Sequence, residues 1–184
     1  MAESRNGPAS ARPGGHEASP RDRNRTPSTG SIRIRKGTPD DMEEVAAIEK
    51  VSFTNPWHPH TFRRLVTQGR VHILVADDEE EEAVVGYAVM WWVHAQGELG
   101  NLAVKETHQG RGIGSALLDQ LLDDARERGV RDLFLEVRMS NDPAFRLYRS
   151  RGFVQVSVRK GYYRNPPEDA RILVKVLGDA GEET

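Results

Sequence analysis

The sequence predicts a mixed α/β domain, and three observations support that fold class. Apolar runs with a period of two alternate with amphipathic runs at helical spacing, in the order β-α-α-β-β-β-α-β-α-β-β. One helical run lies between two apolar strand runs, so those strands are expected to be parallel neighbours in a mixed sheet. The chain has 184 residues, of which 37% are hydrophobic, enough for one core.

The first third of the domain reads as a strand and two helices. Ile32 and Ile34 alternate with arginines, as in a half-buried strand. Thr38 and Pro39, followed by two aspartates, predict a helix start, and apolar residues continue at helical spacing to Phe53. Two prolines then end this helix and open a short second one over about residues 60–68.

The rest of the chain is dominated by strands. Strand-like runs occupy residues 71–76, 83–93, 98–104, 132–138, 153–158 and 171–176. The acidic run 77–82 is expected to be a solvated hairpin tip. An amphipathic helix over residues 112–128 ends at Gly129 as its C′ residue, and a short helix is predicted over residues 143–150.

Composition excludes several kinds of chemistry. Without cysteine there are no disulfides, thiolate catalysis or sulfur-ligated metals. The formal net charge of -2 argues against a domain that binds nucleic acid as a whole, and no sequence-specific nucleic-acid partner is expected. No run approaches the ~20 apolar residues of a membrane span, and no signal segment is evident. We therefore expect a cytoplasmic protein without a membrane partner.

The chain ends are predicted to lie outside the folded domain. Residues 1–30 are rich in Pro, Gly, Ser and Arg and contain no aromatic residue, so they bury too little surface to offset the entropy of ordering. We expect residues 1–30 to be a disordered basic tail, residues 31–177 to form the domain, and residues 178–184 to be a flexible C-terminus. Alternatively, the tail arginines touch ribosomal RNA or an acidic partner.

The sharpest functional signal is the run from Gln109 to Ser115, directly between a strand and a helix. Glycines let backbone N–H groups point inward, and the helix start adds the positive end of its dipole, so the run can cradle a pyrophosphate. The dinucleotide fingerprint would need glycine at position 115, and a P-loop would need Gly-Lys-Ser/Thr. A turn that serves only chain geometry is the alternative.

The remaining pattern, Gln/Arg-x-x-Gly-x-Gly/Ala, is met by Gln109, Gly112 and Gly114 and resembles the acetyl-CoA loop of the Gcn5-related N-acetyltransferases (GNAT). The resemblance covers about residues 31–177. It is closest to the RimI-type enzymes, which acetylate the N-terminal alanine of a small-subunit ribosomal protein. The further stretches that carry it are Phe53-Thr-Asn-Pro56-Trp57, Glu98 to Val104, Leu135 to Asn141, Leu147 to Phe153, and Tyr162-Tyr163 followed by Asp169-Ala170.

The resemblance implies the GNAT fold, a mixed and mostly antiparallel sheet of about seven strands with a splayed parallel central pair, flanked by about four helices. It also implies acetyl-CoA as co-substrate and direct transfer without an acyl-enzyme. The residues implied to bind acetyl-CoA are Leu102, Ala103, Val104, Gln109, Gly110, Arg111, Gly112, Ile113, Gly114, Ser115 and Asn141. For Asn141, a plain helix cap before Pro143 is the alternative.

Two residues are candidates for moving protons. Glu136 interrupts an apolar strand, so its side chain is expected to face the core or a cleft, where desolvation makes a carboxylate a better proton acceptor. By the resemblance Glu136 matches the general base, and Tyr148 matches the general acid that protonates the departing CoA thiolate. The alternatives are a glutamate paired with Arg138 or another cation, and an aromatic residue that only packs under the sheet.

The resemblance further implies an acceptor-binding surface made of Phe53, Pro56, Trp57, Tyr162 and Tyr163. Alternatively, these aromatics hold loops against the core. Trp91 and Trp92 are interpreted as sheet residues rather than ligands. Gly100, in the cofactor-facing strand, is expected to mark a β-bulge.

The function that the resemblance implies is transfer of the acetyl group of acetyl-CoA to a protein N-terminal α-amine, with the N-terminal alanine of a small-subunit ribosomal protein as the expected acceptor. An α-amine, with a pKa of about 7.7–8.0, is partly neutral already, whereas lysine has a pKa near 10.4. A lysine or small-molecule amine acetyltransferase, and a non-catalytic acetyl-CoA sensor or scaffold, remain open. His58, His60, His94 and His108 show no metal-ligand spacing with a carboxylate, so no catalytic metal is predicted.

Overall fold

The computed structural model describes residues 32–178. The basic tail predicted for residues 1–30, and all but the first residue of the segment 178–184, lie outside the described residues. Every helix and strand expected from the sequence falls within the described range.

Seven strands form one sheet in this part of the chain. They are β1 Ile32–Lys36, β2 Val71–Asp78, β3 Ala83–Val93, β4 Gln96–Val104, β5 Asp132–Arg138, β6 Val154–Arg164 and β7 Pro167–Val176. Their order across the sheet is β1-β2-β3-β4-β5-β7-β6. Every neighbouring pair is antiparallel except β4 and β5, so the predicted parallel pair in a mixed sheet is confirmed.

Four α-helices flank the sheet within residues 32–178. They are α1 Met42–Ser52, α2 Pro59–Leu65, α3 Ile113–Glu127 and α4 Asp142–Ser150, with one-turn 3₁₀ helices at Pro39–Asp41 and Glu106–His108. Helices α1 and α2 pack on one face of the sheet, and α3 and α4 pack on the other. None of these helices combines the length and apolar character needed to cross a lipid bilayer.

The entry to α1 differs in detail from the prediction, because Thr38 caps the 3₁₀ turn rather than α1 itself. The backbone N–H and the hydroxyl of Thr38 both donate to the Asp41 carboxylate, at 2.7 and 2.9 Å. Arg35 of β1 donates two further hydrogen bonds to this carboxylate, each 2.8 Å long. Hydrogen bonding to Arg35 lowers the pKa of Asp41 to about 2, which outweighs the opposing effect of burial.

The β6–β7 hairpin is longer than predicted. Strand β6 continues to Arg164 and β7 begins at Pro167, whereas the apolar pattern ended the first strand at residue 158 and began the second at residue 171. Most residues of β6 are exposed at the sheet edge, so its outer half carries no apolar period. Pairing with β7 extends the strand, and this extension carries Tyr162 and Tyr163.

Two apolar layers stabilise the sheet, one on each face. Helix α3 buries Leu117 and Leu121 against one face, and α1 buries Val45 and Ile48 against the other. Strand β3 is buried on both faces, which explains its continuous apolar sequence. Burial of each such aliphatic side chain contributes about 1.5–3 kcal/mol. The two layers hold the sheet firmly on both sides of the place where β4 and β5 separate.

Candidate active site

Strands β4 and β5 separate partway along their length. They pair only between residues 96–99 and 132–135, although β4 continues to Val104 and β5 to Arg138. Beyond that point β4 stays hydrogen-bonded to β3, and β5 to β7. A gap therefore opens in the middle of the sheet, lined by backbone groups without a partner strand across it.

A β-bulge at Gly100 lies where this gap begins. Val89 pairs with Asn101 and the next residue of β3 pairs with Leu99, which leaves Gly100 as the extra residue. A Cβ atom at position 100 would lie 2.2 Å from Cζ3 of Trp91 and 3.0 Å from Cη2 of Trp57. The predicted bulge is confirmed, and glycine is required because the two indole rings occupy the space of a side chain.

Backbone groups of β4 face the gap beyond the bulge. The N–H of Lys105 donates to β3 at 2.8 Å, and backbone groups alternate sides along a strand, so those of Leu102 and Val104 face the gap. The Val104 carbonyl accepts a 3.0 Å hydrogen bond from the Gln109 side chain. The backbone of Ala103 is turned toward β3. The geometry therefore favours Leu102 and Val104 among the three residues predicted to offer backbone groups.

A cleft of about 780 Å³ passes through the gap. Trp57 and Trp91 line it on the face covered by α1 and α2, whereas Ala144 and Tyr148 line it on the face covered by α3 and α4. Trp91 is therefore both the sheet residue that was predicted and part of the cleft wall. Two ligands that enter from opposite faces can meet inside the sheet.

The cleft brings together predicted site residues from distant parts of the chain. Those that line it are Phe53, Trp57, Leu102, Glu136, Asn141, Tyr148, Tyr162 and Tyr163. Pro56 is exposed in the same connection as Trp57 and does not line the cleft. Asn141 accepts a 3.2 Å hydrogen bond from the Ala144 N–H, so the helix-cap alternative is confirmed and Asn141 has this role beside its place in the wall.

The glycine-rich loop leads from the end of β4 into α3. Gly110 and Gly112 have φ angles of 75° and 81°, which residues with a side chain rarely adopt. Gly112 is the N-cap of α3, so the first N–H groups of the helix have no partner within it. A Cβ atom on Gly114 would lie 3.7 Å from Leu102 and 3.8 Å from Leu147. The positive end of α3 thus lies beside the gap and is suited to an anion.

Glu136 projects into the cleft from β5. Leu135 and Val137 are buried in the layer under α3, so strand alternation turns Glu136 to the opposite face. Its carboxylate accepts a 2.9 Å hydrogen bond from Arg159 of β6, and its side chain is 20% exposed. The sequence left two placements of Glu136 open, one facing a cleft and one paired with a cation. The structure shows both, and the cation is Arg159 rather than Arg138.

A second carboxylate, Glu98 of β4, lines the same cleft. Burial, and then the nearby charge of Glu136, raises the pKa of Glu98, while a hydrogen bond from Trp91 has the opposite effect. Two neighbouring carboxylates favour a cationic group between them.

Tyr148 reaches the cleft from α4, on the other face of the sheet. Its side chain is almost fully buried, and its ring meets that of Phe153 edge-on with the centroids 5.7 Å apart. Burial raises the pKa of Tyr148, so its hydroxyl stays protonated at neutral pH. Tyr148 therefore packs under the sheet and also lines the cleft.

The sequence profile of the acetyltransferase (GNAT) family matches residues 42–153. The chain belongs to the GNAT acetyltransferase family. N-alpha-acetyltransferase RimI of Mycobacterium tuberculosis is 36% identical over 160 residues, which cover 84% of this chain and 98% of that protein. The [ribosomal protein bS18]-alanine N-acetyltransferase of Haemophilus influenzae is 36% identical over 126 residues, which cover 68% of this chain and 84% of that one.

A solved structure agrees with this membership. The crystal structure of the ribosomal-protein-S18-alanine N-acetyltransferase from Escherichia coli matches with a TM-score of 0.75 and 32% identity, over 83% of this chain and 98% of that one. The chain is thus an N-acetyltransferase, and the predicted GNAT fold is confirmed.

Arg138 of this GNAT enzyme joins two walls of the cleft. Its guanidinium donates to Oγ1 of Thr54 at 2.8 Å and to the Glu168 carboxylate at 3.1 Å. It also lies 4.0 Å from the ring centroid of Tyr163. The connection between α1 and α2 is thereby tied to the β6–β7 hairpin across the cleft.

Glu49 of α1 organises the cleft from behind, with an exposed fraction of 0%. Its carboxylate accepts hydrogen bonds from the Trp57 N–H at 2.8 Å, from Nδ2 of Asn101 at 3.0 Å and from the Tyr87 hydroxyl. One buried group therefore positions both the α1–α2 connection and the part of β4 beyond the bulge.

The sequence analysis missed Glu98, Arg138 and Glu49 as parts of the site. Arg138 lies two residues after Glu136 in the same strand, so the period of two could have placed it on the same face. Glu49 follows Val45 by four residues, on the buried face of α1, and a charged residue there is a signal of a buried polar role. Glu98 gave no such signal, because its neighbours alone do not show where the strand separates.

Proposed function

We propose that this GNAT enzyme transfers the acetyl group of acetyl-CoA to the α-amine of a protein N-terminus, and that its acceptor is the N-terminal alanine of the small-subunit ribosomal protein bS18. The observation that carries the proposal is the cleft through the sheet, with an anion-binding helix start beside one opening and two carboxylates in its wall. The acceptor named for the Haemophilus influenzae relative and for the Escherichia coli structure supports the choice of bS18, and the name of the Mycobacterium tuberculosis relative supports an α-amine.

The residues of the gap suit acetyl-CoA. The N–H groups at the start of α3, with Gly110 and Gly112, would hold the pyrophosphate, and the gap-facing backbone of Leu102 and Val104 would hold the pantetheine arm. When bound, the co-substrate supplies an activated thioester. An N–H group of β4 aimed at the thioester oxygen stabilises the negative charge that develops there.

The face with Trp57 suits an N-terminal residue with an ammonium group. Glu98 and Glu136 offer negative charge, and the rings of Trp57, Trp91, Tyr162 and Tyr163 wall the space around them. Arg138 holds the surrounding connection and hairpin together. A peptide that enters from this face can bring its terminal ammonium group up to the two carboxylates.

Glu136 is the proposed proton acceptor. The attacking amine must be neutral, and an α-ammonium with a pKa of about 7.7–8.0 loses its proton to a carboxylate or a relayed water far more readily than lysine does. Arg159 fixes one carboxylate oxygen of Glu136, so the other oxygen is the one offered to the acceptor.

Tyr148 is the proposed partner of the leaving sulfur. Because its pKa is raised, the phenol keeps its proton in the resting enzyme and is available as a donor when thiolate character develops. It approaches from the face opposite to Glu136, so proton acceptor and proton donor act on the two sides of the gap.

Three peptides test the proposal: a bS18-type N-terminus with free alanine, the same peptide with a blocked N-terminus, and an N-blocked peptide with an internal lysine. We expect turnover of the first alone, with the acetyl group located on the α-amine by mass spectrometry. Glu136→Gln and Tyr148→Phe should lower kcat by about 10²–10⁴-fold and 10-fold or more, respectively, while calorimetry shows an unchanged Kd for acetyl-CoA. Equal turnover of free and blocked peptides would refute the α-amine assignment.

A further inference from the structure

Outside the cleft, three potential metal ligands meet between the β2–β3 turn and the 3₁₀ helix that precedes the glycine-rich loop. They are Asp78, Glu81 and His108, and one ligand atom of each lies within 4.8 Å of the other two. Nε2 of His108 is 3.5 Å from Oδ2 of Asp78 and 3.4 Å from Oε1 of Glu81. Ligands about 2.0–2.2 Å from a tetrahedral zinc ion have separations of this size.

His108 supplies an independent observation that the cluster takes a ligand. Its side chain is only 4% exposed, yet Nε2 has no hydrogen-bond partner among residues 32–178. A buried polar atom without a partner is costly, and this one is aimed at two carboxylate oxygens beyond normal hydrogen-bond geometry. An ion between the three atoms would satisfy the nitrogen.

The hydrogen bonds around the cluster leave one carboxylate oxygen of Asp78 and Nε2 of His108 available to bind a metal ion. Oδ1 of Asp78 accepts hydrogen bonds from the N–H groups of Glu80 and Glu81, at 3.0 and 3.3 Å, which leaves Oδ2 for a ligand. Nδ1 of His108 is 2.8 Å from Oγ1 of Thr107, a contact that can fix the tautomer with the lone pair on Nε2. This second layer is what histidine and carboxylate ligands of metal sites normally have.

We propose that Asp78, Glu81 and His108 bind a divalent metal ion such as zinc, with water as the fourth ligand. Glu81 is 56% exposed, so the ion can enter from its side. The set of one imidazole and two carboxylates suits zinc, since all three are common zinc ligands. The ion would fasten His108, directly before Gln109, to the β2–β3 turn, which gives it a structural role outside the cleft.

The spacing of the histidines did not predict this group of ligands, because Asp78 and Glu81 are distant from His108 in the chain. The prediction of no catalytic metal is a separate matter, since none of the three residues lines the cleft. Metal binding here is independent of the proposed function.

Zinc titration of the metal-stripped full chain by calorimetry, without acetyl-CoA, tests the proposal. We expect one equivalent of zinc to bind and to raise Tm. Glu81→Gln should weaken binding about 10-fold or more, since even the loss of an outer partner costs about 10–100-fold. Asp78→Asn and His108→Gln should abolish it. X-ray absorption should show nitrogen and oxygen ligands that include one imidazole.

Two controls make the result specific. Glu80→Gln removes an acid of the same turn that is outside the cluster, and His16→Ala removes a histidine outside the described residues; both should bind zinc like wild type. If the His108 variant does not fold, the exposed Glu81 variant carries the test. Equal affinity of wild type and Glu81→Gln, or an Nε2 that NMR shows protonated in the presence of equimolar zinc, would overturn the proposal.

Discussion

The guanidinium of Arg159 on the edge strand β6 donates a 2.9 Å hydrogen bond to the carboxylate of Glu136 on β5. Strand β7 lies between these two strands, so the contact reaches across a strand of the sheet. Arg159 also lies 5.0 Å from the ring centroid of Tyr162 in the cleft wall. The edge strand thereby sets the orientation of the proposed proton acceptor.

Removal of Arg159 should impair catalysis more than cofactor binding. Arg159→Ala frees the Glu136 carboxylate to adopt other rotamers, and we expect kcat to fall about 10-fold, the size of one charge-assisted hydrogen bond. Arg159→Lys keeps the positive charge, so its kcat should fall less than that of Arg159→Ala. Steady-state kinetics and calorimetry with acetyl-CoA measure the two effects. Lys160→Ala, at the neighbouring position of the strand, is the control, and an unchanged kcat in Arg159→Ala would contradict the positioning role.

Glu98 should make stability depend on pH in a defined direction. Its pKa is raised in the folded protein, by burial and then by Glu136, so the folded state gains stability relative to the unfolded state as pH falls through this raised pKa. Glu98→Gln lacks the penalty of the charged form. We therefore expect a higher Tm than wild type at pH 8, and a difference that vanishes as pH falls toward the ordinary carboxyl pKa.

The same variant should bind the acceptor less well. Loss of one of two carboxylates weakens attraction for an ammonium group, so KM for the free N-terminal peptide should rise while Kd for acetyl-CoA is unchanged. A Tm difference that grows toward acid pH, or a lower KM, would contradict this account of Glu98.

Glu49 should be essential for the stability of the cleft. Glu49→Ala leaves the Trp57 N–H, the Asn101 amide and the Tyr87 hydroxyl without their shared acceptor, and we expect a loss of about 3–5 kcal/mol in the free energy of unfolding. Urea denaturation measures the loss. Glu43→Ala removes an exposed acid of the same helix and should change stability by no more than about 0.5 kcal/mol. Similar values for the two variants would argue against this role of Glu49.

Gly100 should tolerate no side chain. Gly100→Ala drives a methyl group into the Trp91 and Trp57 rings, so we expect a loss of about 1–3 kcal/mol together with a raised KM for the peptide. Gly69→Ala, where no atom lies within 4 Å of the added Cβ, is the matched control. Thermal unfolding and peptide kinetics decide, and equal behaviour of both variants would show that the indole rings move aside freely.

Several features followed from the sequence because they depend on local interactions. The amphipathic period predicted a helix over residues 112–128, one residue longer at each end than α3, and the apolar runs predicted the bounds of β3 and β5 to the residue. A crossover helix leaves little choice but a parallel pair, and the glycines before α3 need positive φ whatever surrounds them. These patterns also pointed to Glu136 as a charged residue in a buried strand.

Only the tertiary structure decided how that residue is used. The partners of Glu136 and Glu49, and the carboxylates near His108, come from segments far away in the chain. Contact between distant segments leaves no period in the sequence. The outer half of β6 is held by pairing with β7 rather than by an apolar face. The full length of this strand could therefore not be predicted from the sequence. The sequence by itself determined the order of the elements and the glycine-rich turn before α3, because both depend on local interactions. Packing of the two helical layers on the sheet decided which charged residues share a site.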